Sequence, residues 1–243
     1  MVAAWSDRYR GRVLLAELEV FHSRPIAPTR RVALGAMLLP TSPAPGFGGL
    51  LLGGIVARFV GDLDPELLPE LDRLTHQLEA GARIPQPRLR HRFQDDRVGL
   101  TAYRHMLIGD GEDLHFDIDE AGTPAPNVLG AVYAAGRSDP GHRGAVFTTI
   151  RRGLRWRGEP GPKLVQHLTD ARTTTRWATL GGRDPVAWAL ETLGLPEHPD
   201  RSTVQRGFRD QLRLAHPDHG GEAAAAARRI DELAEARRIL LGG

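Results

Sequence analysis

Cysteine is absent from all 243 residues, and lysine occurs once, at Lys163. Without cysteine the chain can form neither disulfides nor four-cysteine zinc sites, which fits a reducing cytoplasm. Arginine supplies 31 of the 32 basic residues, yet the formal net charge is only +2. So small an excess gives no electrostatic reason to expect a nucleic-acid partner. The apolar content of 41% is that of an ordinary globular protein.

A membrane-spanning run is also missing. Residues 32–57 carry no charge, but Pro40, Pro43 and Pro45 divide them into runs shorter than the ~20 residues that a spanning helix needs. The N-terminus contains Asp7 and lacks the apolar stretch of a signal peptide. We therefore expect a cytoplasmic protein without a membrane span.

The most informative segment surrounds the tripeptide His216-Pro217-Asp218. Val204, Phe208 and Leu212 recur every four residues before it, which predicts a helix. Proline cannot lie inside that helix, so the tripeptide is expected in a short loop. A second helix is predicted after the loop from apolar residues at three- and four-residue steps: Ile230, Leu233, Ala236, Ile239 and Leu240.

This layout resembles the J-domain, the module with which Hsp40 (DnaJ-type) co-chaperones stimulate Hsp70 ATPases. The resemblance covers residues 184–241, where 202–215 is similar to the basic second helix of the family and Glu235-Ala236 to a motif of its third helix. The residues similar to the first helix and its Leu-Gly ending are Trp188, Leu190, Leu193, Gly194 and Leu195.

The resemblance implies that His216, Pro217 and Asp218 bind an Hsp70 of the DnaK type. Three arginines of the second helix lie at three- and four-residue steps, hence on one face that would attract an acidic Hsp70 surface: Arg206, Arg209 and Arg213. The chain would then be a co-chaperone and not an enzyme, would need no cofactor, and would select a client protein or a location through its N-terminal domain.

Four residues depart from the family pattern, namely Asp210, Gln211, Ala215 and Arg237. They leave open the alternative that the helical hairpin is a degenerate interaction module that does not stimulate Hsp70.

The tripeptide occurs a second time, as His198-Pro199-Asp200. No basic helix precedes this copy, because it follows Gly194-Leu195 almost directly. Asp200 and Ser202 are instead candidates for the N-cap of the next helix, and Ser202 with Gln205 fits a capping box. We therefore assign the functional copy to residues 216–218.

Residues 1–158 are predicted to form an α+β domain of no recognised family, residues 159–183 a connector with helix at 163–180, and residues 184–243 the all-α J-domain-like hairpin with a preceding short helix. Alternation and apolar runs predict strands at 13–21, 32–39 (or a short helix there), 114–119 and 145–150. Helices are predicted at 50–60, from Asp64 to Gly81, and at 128–135.

An enzyme in the N-terminal domain is the alternative from another class. His115, Asp117 and Asp119 alternate, so on a strand their side chains share one face and are weak candidates for metal ligands. A metal-dependent enzyme acting on phosphates, carrying a J-like recruiting module, would fit them. A solvent-facing strand whose other face packs inward explains the same pattern.

Two arginine clusters complete the candidates. One contains Arg88, His91 and their neighbours, and the other contains residues 151–157 with Trp156 at its centre. Arginine beside an aromatic side chain can bind phosphate and stack on a base. Acidic protein surfaces and plain solvent are equally compatible partners of such clusters.

Overall fold

A computed structural model describes residues 12–27, 29–42, 44–84, 86–110, 113–169, 185–215 and 223–241. These residues form a mixed α+β protein with a five-stranded sheet in the N-terminal part of the chain and three helices after residue 184. The predicted α+β class is therefore confirmed at this level.

The sheet has the strand order β3-β2-β1-β4-β5. Its strands are β1 (Val13–His22), β2 (Arg31–Leu38), β3 (Arg92–Phe93), β4 (Thr101–Asp110) and β5 (Asp113–Ile118). Glu17 of β1 faces Leu38 of β2 in an antiparallel ladder, and β2 and β3 are parallel. The strands predicted from 13–21, 32–39 and 114–119 are confirmed, whereas the sequence analysis missed β4, which lies next to β1.

Between residues 12 and 169, the described part of the chain contains five α-helices: α1 (Gly46–Phe59), α2 (Leu68–Glu79), α3 (Pro124–Gly136), α4 (Pro140–Arg155) and α5 (Pro162–Leu168). Helix α1 starts four residues before the predicted helix and is buried at every position except Arg58. Helix α1 packs closely against α4 because both have glycine where they cross. A Cβ on Gly153 of α4 would lie 2.5 Å from the carbonyl oxygen of Gly53 of α1. The two helix backbones thus touch at this crossing.

The predicted strand at 145–150 is wrong, because these residues lie inside α4. The carboxylate of Asp139 accepts a hydrogen bond of 2.8 Å from the Gly141 amide, and Pro140 occupies the first helical position. This start signal, together with burial of Val146, Phe147, Ile150 and Gly153 at helical spacing, outweighs the β-propensity of the run.

The start of α2 agrees with the sequence. Asp64 caps a short 3₁₀ turn by accepting a hydrogen bond of 3.0 Å from the Glu66 amide, and α2 follows directly. The helix predicted at 128–135 is confirmed as the longer α3. Of the helix predicted at 163–180, residues 162–168 are helical as α5, and residues 170–184 lie outside the described part of the chain.

Three helices follow residue 184: α6 (Pro185–Leu193), α7 (Arg201–Leu214) and α8 (Ala223–Leu241). Helix α8 contacts both α6 and α7. Arg201 at the start of α7 and Leu241 at the end of α8 line one groove. Within the described residues no helix is long and apolar enough to cross a membrane.

The chain divides into two compact units. One contains residues 16–107 and 116–169, and the other contains residues 12–15, 108–115 and the helices after residue 184. The boundaries 1–158, 159–183 and 184–243 stay a sequence-based prediction.

Candidate functional site

The three arginines predicted to bind Hsp70 lie on the exposed side of α7. Arg206, Arg209 and Arg213 are all exposed. Arg213 forms an ion pair with Asp210 of the same helix, and the carboxylate lies 3.4 Å from the guanidinium. A pair so exposed contributes little to stability, and the positive charge of the face is available to a partner.

The opposite side of α7 faces α8. Val204 is buried, and Phe208 and Leu212 are half-buried. On α8, Leu233 and Ala236 are fully buried. Phe208 and Leu212 of α7 therefore keep part of their surface in solvent, whereas the two α8 residues do not.

Two glycines shape the loop between α6 and α7. Gly194 has a φ of 65° and ends α6, while the Leu195 amide donates a hydrogen bond of 2.8 Å to the carbonyl oxygen of Leu190. This is the glycine-based helix ending that the Leu-Gly motif predicts. Gly207 of α7 lies against the same loop, because a Cβ there would lie 2.8 Å from the Leu195 side chain.

Of the two copies of the tripeptide, the one formed by His216, Pro217 and Asp218 lies outside the described residues. In the other copy, the Asp200 carboxylate accepts hydrogen bonds of 2.7 Å from the Thr203 amide and 2.9 Å from the Ser202 hydroxyl. These bonds lower the pKa of Asp200, with the backbone bond from Thr203 the largest cause. Asp200 is therefore the N-cap of α7.

The weak metal candidates lie on or just after β5. His115 is exposed, while Asp117 and Asp119 are half-buried. The Asp119 carboxylate accepts a hydrogen bond of 3.0 Å from the Ala121 amide. Across the described ranges, no group of three or more histidine, cysteine and acidic side chains is arranged to hold a metal ion.

Several arginines of the two clusters are engaged within the protein. Arg88 donates to the Gln77 side chain at 3.1 Å, and Arg151 forms an ion pair of 2.6 Å with Glu79. Arg152 donates to the carbonyl oxygen of Leu168 at 3.0 Å. These bonds tie neighbouring elements together, so the clusters are not wholly solvated faces.

A buried polar group on β1 and β4 was not predicted from the sequence. His105 donates from Nε2 to the Asn127 side-chain oxygen at 3.1 Å, and His22 stacks on Tyr103 with ring centroids 4.0 Å apart. Both histidines are almost fully buried. Within the described part of the chain, His105 Nδ1 and His22 Nε2 have no hydrogen-bond partner. Their signal in the sequence is weak, because the residues are far apart along the chain.

Burial dominates the titration of these histidines. It lowers the pKa of His105 to about 4, against opposing effects of the Asn127 hydrogen bond and the Asp119 charge. Burial also lowers the pKa of His22, against the hydrogen bond to the Ser23 carbonyl oxygen. Both rings are thus neutral at pH 7, and each has one buried nitrogen that accepts no hydrogen bond from the described residues.

Comparisons of the chain with protein-family models, with curated proteins and with solved structures find no match.

Proposed function

We propose that this chain is a J-domain co-chaperone that recruits a DnaK-type Hsp70 and stimulates its ATPase through His216, Pro217 and Asp218. The observation that supports the proposal is the contact of α7 with α8. Along the chain, α7 ends at Leu214 before the tripeptide and α8 starts at Ala223 after it.

The charge of α7 supports the same proposal. Arg206, Arg209 and Arg213 face away from the α8 contact and are exposed. A cationic helix face leading into the tripeptide would accelerate association with an acidic Hsp70 surface and orient the loop on it. Asp218, when ionised, would accept charge-assisted hydrogen bonds from a basic side chain of the Hsp70. Pro217 would limit the freedom that the loop loses on binding.

The engagement of Asp200 favours residues 216–218 over the second copy. Its carboxylate is bound to the Thr203 amide and the Ser202 hydroxyl, so removing it for a partner would uncap α7. The N-terminal α+β part would select the client or the location, and the protein would act without a cofactor in the cytoplasm.

The test is a single-turnover ATPase assay with a DnaK-type Hsp70 and the full-length chain. Wild-type protein is expected to accelerate hydrolysis, and His216→Gln or Asp218→Asn is expected to abolish the acceleration. The second copy provides the matched control: His198→Gln and Asp200→Asn make the same chemical changes, and asparagine still caps a helix. These two variants should stimulate as the wild type does.

Two outcomes would contradict the proposal. If the variants of either tripeptide lost ATPase stimulation to the same extent, the substitutions would act through folding. Absence of stimulation by the wild-type chain would favour the degenerate interaction module, in which Asp210, Gln211 and Ala215 have removed the activity.

A further inference from the structure

A concave surface lies at the N-terminal end of α7, and we name it the arginine groove. It encloses about 310 Å³ and is lined by Arg201 from α7 and by Ala234, Arg237, Arg238 and Leu241 from α8. On α8, the other three lining residues follow Ala234 by three, four and seven positions, so all four lie on one side of that helix. Since α7 has 14 residues, the groove lies about 20 Å from the end of α7 that leads to His216.

The positive charge of the groove is only partly neutralised. Arg238 forms a two-bond ion pair with Glu235, at 2.7 and 2.8 Å. Arg201 and Arg237 are exposed, and neither has a carboxylate partner among the described residues. Among the described residues, no acidic side chain lines the groove. Two guanidinium groups with uncompensated charge therefore face one concave surface.

The position of Arg201 is unfavourable for the helix itself. It is the first residue of α7, where the helix dipole favours acidic side chains and disfavours cations. Asp200 lies next to it, but the Asp200 carboxylate is committed to capping the helix through Thr203 and Ser202. An anion bound in the groove would relieve this unfavourable arrangement.

The groove also restricts the shape and chemistry of the anion. Arg237 lies over the Phe208 ring, with its guanidinium carbon 5.0 Å from the ring centroid, so the ring is covered and is not free to stack on a base. Ala234 and Leu241 supply apolar surface between the charges. Guanidinium groups bind carboxylates through two parallel hydrogen bonds, and apolar surface suits the aliphatic part of a peptide.

We propose that the arginine groove binds an acidic peptide segment of a partner protein, with its carboxylates on Arg201 and Arg237 and an aliphatic side chain on Ala234 and Leu241. This site does not include Arg206, Arg209, Arg213 or the tripeptide, and it goes beyond Hsp70 stimulation. It gives the C-terminal helices two partner surfaces, one at each end of α7.

The test is fluorescence anisotropy with the full-length chain and a labelled peptide, Glu-Glu-Leu-Glu-Glu-Leu, at low and moderate salt. We expect saturable binding that weakens as salt rises. The double variant Arg201→Gln/Arg237→Gln should weaken binding by about tenfold or more, since each loses a charge-assisted hydrogen bond. The single variant Arg201→Gln should weaken it by a smaller factor, and it leaves the contact between Arg237 and Phe208 in place.

The matched control is Arg73→Gln/Arg83→Gln, which removes the same charge from two exposed arginines outside the groove. This control should bind the peptide as the wild type does, and a peptide with Gln in place of Glu should not bind. The Arg201 and Arg237 variants should keep any Hsp70 stimulation that the wild type shows, so a failure of the groove proposal is distinguishable from a failure of the co-chaperone proposal.

The proposal is overturned if the wild-type chain does not bind the acidic peptide, or if the control variant and the groove variants lose affinity equally. It is also overturned if a labelled oligothymidylate binds the groove more tightly than the peptide, since the groove would then recognise phosphate. Circular dichroism of each variant shows that the helices are retained, and Arg201→Gln decides the question if the double variant does not fold.

Discussion

Arg238 of α8 connects a helix to a strand through one side chain. Its guanidinium donates hydrogen bonds of 2.9 Å to the carbonyl oxygen of Leu14 and 3.0 Å to that of Leu15, while it pairs with Glu235. This part of β1 extends past the ladder with β2, which starts at Glu17. Arg238 thus supplies donors to strand carbonyl groups that β2 does not reach.

Arg238→Met is expected to lower the free energy of unfolding by about 3 kcal/mol, because it leaves the Glu235 carboxylate buried and without its partner. Urea denaturation measures this difference. The double variant Arg238→Met/Glu235→Met should recover part of the loss, since it removes the isolated charge. Arg213→Gln, which breaks an exposed pair, is the control and should change stability by less than about 0.5 kcal/mol. An equal effect of Arg213→Gln and Arg238→Met would contradict this account.

The buried histidines predict a loss of stability in acid. The pKa of His105 is lowered by burial to about 4 in the folded protein, and that of His22 is lowered as well. Unfolded histidine titrates near 6.5, so between these values the unfolded chain binds protons that the folded chain does not. The free energy of unfolding should therefore fall as the pH falls from 7.5 to 5, with His105 contributing about 2 kcal/mol of the loss.

Urea denaturation at pH 7.5 and pH 5 checks this prediction. His105→Gln places an amide near the position of Nε2 and removes the titrating ring, so it should reduce the dependence on pH. His198→Asn removes an exposed histidine and should leave the dependence as it is in the wild type. A stability that rises on acidification would contradict the prediction.

At the scale of elements, the crossing of α1 and α4 depends on two glycines. A Cβ on Gly153 would lie 2.5 Å from the backbone oxygen of Gly53, and backbone atoms cannot move aside as a flexible side chain can. Gly153→Ala is therefore expected to destabilise the protein by about 1–3 kcal/mol.

Gly61 provides the matched control, because a Cβ there would meet nothing within 4 Å. Gly61→Ala should leave the denaturation midpoint near the wild-type value. Equal stability of the two alanine variants would contradict the close backbone contact between α1 and α4.

At the scale of the whole molecule, the proposed association with Hsp70 should depend on salt. Arg209→Ala is expected to weaken ATPase stimulation mainly at low ionic strength, because the Debye length shrinks from ~30 Å at 0.01 M to ~8 Å at 0.15 M. Titrating the chain against a DnaK-type Hsp70 at both salt concentrations measures the effect. The control variant Arg73→Ala removes one exposed charge outside α7. It should stimulate the Hsp70 ATPase as the wild type does at both salt concentrations.

The sequence by itself predicted the elements whose signals are local. The alternation of β1, the Asp64 cap before α2, the glycine ending of α6 and the apolar period of α7 each depend on neighbouring residues. For the same reason, the sequence predicted Arg206, Arg209 and Arg213 on one exposed helix face. Whether the tripeptide at residues 216–218 acts on Hsp70 stays a prediction.

Only the tertiary structure decided the features that join distant residues. It made a helix of residues 145–150, because burial along a helical stripe and the Asp139 cap outweigh β-propensity. It brought His105 to Asn127, and it brought Arg201 to Arg237 and Leu241 in the arginine groove. Local pattern cannot reveal these pairings, because they arise from packing between elements that are separated along the chain.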